Sequence, residues 1–177
     1  MDQLKDFLKP VMQWIEDYLD RYAPWKVAVS ELNFPRLPEY FSQRILDNSY
    51  AVQVDKIEVP PLNELGLEGF SFFESGNYSG ITFMDTYFYR RERALDEALH
   101  FHELVHTLQW DEMGPENFLL VYGLNLLEHG YRISPLEKIA YDLEERFKTG
   151  DALPELEEHV RQHARDLREE TLSRQML

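Results

Sequence analysis

The run LHFHELVHTLQW at residues 99–110 constrains this chain more than any other part of it. Apart from Glu103 it carries no acidic or basic side chain beyond its histidines, as a partly buried helix requires. His102 and His106 stand four apart, so on a helix their imidazoles project from one face, one turn from each other. Two imidazoles in that geometry can both reach one tetrahedral Zn²⁺ at about 2.0–2.1 Å. Glu103 follows His102 directly and sits beside the pair, where a carboxylate can take a proton from a water activated by the metal. Two ligands and one general base thus fall within five residues, in the pattern HExxH.

Other histidines do not share this arrangement. His100 is two residues from His102 and so points away from the pair on a helix, in a structural position. His159 and His163 are also four apart, but Val160 stands where the motif needs its glutamate, and Arg161, Gln162, Arg165 and Asp166 surround them. That pair reads as a solvated helix face.

With no cysteine among 177 residues, a disulfide framework or thiolate site is excluded, and any transition-metal site must use His and carboxylates. The length suits a single domain over 1–177 with a real core. A formal charge of −15 argues against nucleic-acid and anionic-membrane surfaces, which need Lys and Arg patches. The start, Met1-Asp2-Gln3-Leu4-Lys5-Asp6, lacks a basic, apolar leader, and no apolar stretch approaches the ~18–20 residues that span a bilayer. A cytoplasmic protein is the expectation.

Along the chain, Leu4, Leu8, Val11, Ile15, Leu19 and Tyr22 keep the spacing of one helical face, with Pro10 as a kink or later start. A short helix is expected over 38–46. Tyr50, Val52 and Val54 alternate with Ala51, Gln53 and Asp55 as in a strand, and 66–80 holds turns. Residues 80–89, rich in aromatic and β-branched side chains, read as the strongest strand. Helices follow over about 91–110, 115–129 with Gly130 as its stop, and 134–148. Ser134, Pro135 and Glu137 have the form of a capping box with Pro at the first helical position. A last charged helix from about 154 carries Leu156, Val160, Ala164 and Leu167 on one stripe. The expected class is α+β: a small N-terminal sheet, with an edge strand, preceding a predominantly helical half.

Residues 80–148 resemble the zincin superfamily of metallopeptidases, in particular compact gluzincin-like members, on the strength of the HExxH string and the strand before it. Residues before 76 carry no such signature. The resemblance divides the domain into an N-terminal region over 1–75, a metal-site core over 76–150 and a charged helix over 151–177. It implies a strand lining a substrate cleft, a glutamate on a later helix as third ligand, and Zn²⁺-dependent hydrolysis of a peptide or protein substrate. Gln109 and Glu112 occupy the places where the metzincin branch needs Gly and His, so that branch is rejected. Glu137 is the best third ligand, with Ala140 allowing the two helices to approach; His129, Glu128 and Glu144 compete. The resemblance puts Tyr141 where a partner Asp for a ligand histidine stands in thermolysin-like enzymes, with Asp142 beside it. A phenol there could hydrogen-bond a substrate oxyanion or serve as packing. A rival expectation is a zincin-like interaction module whose metal is structural.

Overall fold

The computed structural model describes residues 2–174, with side chains from Leu8 to Arg174. Leu4, counted on the apolar stripe of the first helix, therefore has its side chain outside the described residues. The fold is α+β, with a four-stranded sheet drawn from the first half of the chain. Its strands are β1 (Val27–Ala28), β2 (Tyr50–Val54), β3 (Gly80–Phe83) and β4 (Thr86–Arg90), in the order β1-β2-β4-β3. β2 and β4 run parallel, while β1 pairs antiparallel with β2 and β3 antiparallel with β4.

The run over 80–89, expected as one strand, is a hairpin. Met84 takes φ 57°, which turns the chain back so that Phe83 pairs with Thr86 and Gly80 with Tyr89. β4 becomes an interior strand, and β3, like β1 at the other end, is an edge strand of the sheet.

Side-chain alternation on β4 shows how the sheet is covered. Tyr87 and Tyr89 contact His100 on α5 (Glu97–Met113), while Phe88 packs on Tyr18 and Tyr22 of α1 (Asp2–Tyr22). The sheet thus lies between α1 and α5, and both faces of β4 are buried. Phe83 of β3 meets Trp14 and Tyr18 of α1, whereas Thr82 faces α5 through a hydrogen bond to Glu103.

Helix α5 is the hub of the molecule. Fourteen of its seventeen residues are buried, because the sheet and the three later helices surround it. The nearly uncharged stretch over 99–110 is the sequence counterpart of that placement. The helix begins at Glu97, later than expected, because Arg91–Arg93 forms a 3-10 turn and Asp96 caps the true start by accepting from Leu99 N. It runs three residues past Trp110 and stops at Gly114, whose φ of 72° ends the helix before Pro115.

The short helix expected over 38–46 is two: α2 (Leu37–Tyr40) and α3 (Gln43–Asn48), separated at extended Phe41 and Ser42, with Ser42 capping the second. After α4 (Ser71–Glu74) and α5 come α6 (Pro115–His129), α7 (Pro135–Thr149) and α8 (Leu156–Arg174). Leu156, Val160, Ala164 and Leu167 are the buried stripe of α8. Among the described residues, no helix is long and apolar enough to cross a membrane.

Candidate metal centre

His102 and His106 lie on successive turns of α5, and Glu137 lies on the first turn of α7, which packs along α5. Ala140 and Ile139 of α7 share one core with Phe101, Leu104 and Val105 of α5, and the small Ala140 side chain lets the helices approach. The three site residues are buried and each offers a ligand atom within 4.8 Å of the others. His102 Nε2 and His106 Nε2 are 3.1 Å apart, and they stand 3.7 and 3.5 Å from the Glu137 carboxylate oxygens. Ligands about 2.0–2.1 Å from a tetrahedral ion lie roughly 3.3–3.4 Å from one another. The separations, to Oε2 from His102 and to Oε1 from His106, lie close to that value, so His102, His106 and Glu137 could hold a metal ion.

The charges of the cluster point the same way. Glu137 Oε1 accepts from Tyr122 Oη at 2.7 Å, while its Oε2 is buried without a hydrogen-bond partner. A buried anionic oxygen without a donor is costly unless a cation faces it. Burial alone would raise the Glu137 carboxyl, yet His106 and His102 beside it hold it well below the usual carboxylate range. Burial alone would lower His102, but the carboxylates of Glu137, Glu144 and Glu103 raise it to about 10. The cluster is therefore short of positive charge, which a metal ion could supply.

Outer partners fix both rings. His106 Nδ1 faces Gln109 Oε1 at 2.8 Å, and Gln109 Nε2 donates to Leu136 O at 3.1 Å, which ties α5 to the start of α7. His102 Nδ1 faces Glu144 Oε2 at 3.1 Å, and Glu144 is neutralised by Lys148 at 2.6 Å. Each Nε2 is thereby left free to face the cluster, the usual arrangement of ligand histidines. Glu144, a competing ligand in the sequence reading, belongs to this outer set. His129 and Glu128 are at the far end of α6, where Glu128 pairs with Arg174, and neither joins the cluster. Asp142 is exposed and pairs with Lys138.

Glu103 sits on the adjacent wall, buried and pressed against β3. Its Oε2 accepts from Thr82 Oγ1 at 2.7 Å, and Thr82 O is itself held by Trp110 Nε1 at 3.1 Å. Gly80 clears the space beside the carboxylate: a Cβ there would overlap Oε1 and stand 2.9 Å from Cδ. Burial raises the Glu103 carboxyl above its ordinary value, offset in part by the two histidines and Thr82.

Tyr141 packs its ring on His102, centroids 4.6 Å apart. The phenol that lines the cavity beside the triad is Tyr131, together with Tyr78 and Tyr122. His100 is fully buried between Tyr87 Oη and Ala94 O, away from the cluster, as its spacing implied. His159 is exposed and His163 partly buried, and neither takes part in a metal cluster among the described residues.

Spacing within one helix found His102, Glu103 and His106. Thr82, Gly80, Tyr122 and the outer role of Glu144 carry no local signal, since each depends on another element, whereas Gln109, three residues after His106 on the same helix, could have been read from its spacing. Compared with protein-family models, with curated proteins and with solved structures, the chain matches none.

Proposed function

We propose that the chain is a zinc-dependent peptidase that uses Glu103 as its general base. The reading is carried by one observation: His102, His106 and Glu137 converge on a single point, and the buried carboxylate of Glu103 stands beside them on a cavity edged by β3. A His₂Glu donor set suits Zn²⁺, which, held by His102, His106 and Glu137, would supply Lewis acidity toward water and a scissile carbonyl.

The protein's own groups do the rest. Glu103, desolvated and held by Thr82, takes the proton of the attacking water and delivers it to the leaving amine. Tyr131 lines the cavity with its phenol kept neutral by burial, so it can donate to the developing oxyanion. Tyr141, packed at a tilt against His102, orients that ring. β3 offers a free edge to an extended peptide.

The rival reading, an interaction module with a structural metal, draws on how little of Glu103 reaches solvent, 3% of its surface. Glu103→Gln separates the two. The variant is expected to keep its zinc, measured by elemental analysis, and to lose hydrolysis of a denatured protein substrate at least 10³-fold, the upper part of the range for a general base. Equal activity in the variant and the parent refutes the base assignment. Zinc bound in both with no hydrolysis by either supports the structural-metal reading.

A further inference from the structure

A cavity of about 110 Å³ opens beside the triad, between the free edge of β3, α1, α6 and the segment over 60–73. Val11 and Ile15 of α1, Phe118 and Leu126 of α6, and Phe70 and Phe73 of the segment supply apolar walls. Phenols apart, the ionisable side chains lining it are His102, Glu103, His106 and Glu137; among the described residues, no lysine or arginine reaches it. A carboxylate or phosphate group placed there would meet the Glu103 and Glu137 carboxylates and apolar carbon, with no lysine or arginine among the described residues to pair with. An apolar group would instead displace water from surfaces that solvate it poorly. The space is somewhat smaller than the dry apolar cavity of about 150 Å³ that holds a benzene ring, so it takes no more than one side chain.

We propose that this cavity is the recognition pocket for one bulky uncharged group of the substrate, an aliphatic or aromatic side chain next to the scissile amide. Val11, Ile15 and Gly123 determine what fits. Val11 and Ile15 are one turn apart on α1 and are nearly inaccessible to solvent, so a helix remote in sequence from the metal ligands shapes the substrate preference. On the opposite wall, a Cβ added to Gly123 of α6 would lie 3.4 Å from the Phe70 ring, so any longer side chain there grows into the pocket. The proposal rests on the peptidase reading for the amide at the metal, but the binding preference can be measured without turnover.

Three hydroxamates serve as probes of the zinc-loaded full-length protein in calorimetry: acetohydroxamate, 3-phenylpropionohydroxamate and the carboxylate-bearing succinic monohydroxamate. The phenyl compound is expected to bind at least about tenfold more tightly than acetohydroxamate, from burial of its ring. The succinic compound is expected to bind no better than acetohydroxamate. Gly123→Leu and Val11→Phe, from separate walls, should each remove the phenyl advantage while zinc content and acetohydroxamate binding persist. A phenyl compound with no advantage, a tighter succinic compound, or an advantage that survives in the folded variants overturns the pocket assignment. Failure of all three probes with zinc bound shows the metal has no open position, which refutes this inference and the peptidase reading together. A phenyl advantage without any Glu103-dependent hydrolysis supports the pocket and refutes the peptidase alone.

Discussion

Gly80→Ala tests whether the edge strand, as well as the helix, sets the position of the base. The alanine Cβ would stand 2.9 Å from Glu103 Cδ and 3.2 Å from Cγ, and would overlap Oε1. Carbon pairs rest at about 3.5–4.0 Å, so Cδ must retreat by roughly 0.6–1.1 Å, and the oxygen nearest the Cβ by more. That movement stretches the 2.7 Å bond from Thr82, whose own carbonyl is fixed by Trp110. A misplacement of about 1 Å at a reacting group costs on the order of 10²-fold in rate. The variant is therefore expected to lose about 10–100-fold in kcat with little change in KM or zinc content. Its unfolding midpoint should change little, because Gly80 does not have a positive φ and the backbone at a strand end accepts alanine. Hydrolysis of a quenched fluorescent peptide at saturating and limiting substrate, alongside thermal unfolding, gives both readings. Full kcat in a folded Gly80→Ala protein would refute the cradle, and with it the idea that Glu103 must lie against β3 to act.

Chelation gives a second measure of the cluster: zinc at about 1,000 times its Kd stabilises a protein by about 4 kcal/mol. For a domain of this size that corresponds to roughly 8–16 °C in Tm. Thermal unfolding with and without a chelator checks it, and identical midpoints would mean no metal is held. Gln109→Leu leaves His106 Nδ1 and Leu136 O without their partner, and Glu144→Gln removes the charge behind His102. Both are expected to weaken zinc binding by about 10–100-fold in competition with a chelating dye. Asp96→Ala removes the cap of α5 and should cost about 1 kcal/mol in urea unfolding, leaving zinc stoichiometry unchanged.

Legibility in the sequence followed the range of the interactions involved. Helix α6 starts at Pro115 and stops before Gly130, both local signals, and its bounds could be read directly. The tyrosine-valine alternation of β2 was equally local. The β3–β4 hairpin was hidden because its turn uses Met84 and Asp85 instead of the Asn-Gly or Gly-rich pairs that announce one. Gly80 looked like a turn residue; its actual use, making room for a carboxylate from α5, is a tertiary fact. Likewise α2 and α3 read as one helix, since the break at Phe41 and Ser42 depends on Ser42 capping Ile45 N and on Glu157 of α8 holding Ser42 N.

Glu137 shows why a local rule can be obeyed in sequence and overridden in the fold. Ser134 and Glu137 have the spacing of a capping box, yet Ser134 makes no side-chain cap and its hydroxyl is buried without a partner. A cap of this kind contributes about 1 kcal/mol. Turned toward α5, the same carboxylate gains a hydrogen bond from Tyr122, and one to a charged group contributes about 1.5–3 kcal/mol; it also lies 3.5 and 3.7 Å from two imidazoles. Its place in the first turn of α7 costs nothing in this exchange, because the positive end of the helix favours an anion whichever way the side chain points. The sequence pattern thus locates an acidic residue at a helix start, and only the opposing histidines on α5 decide that it faces the cluster.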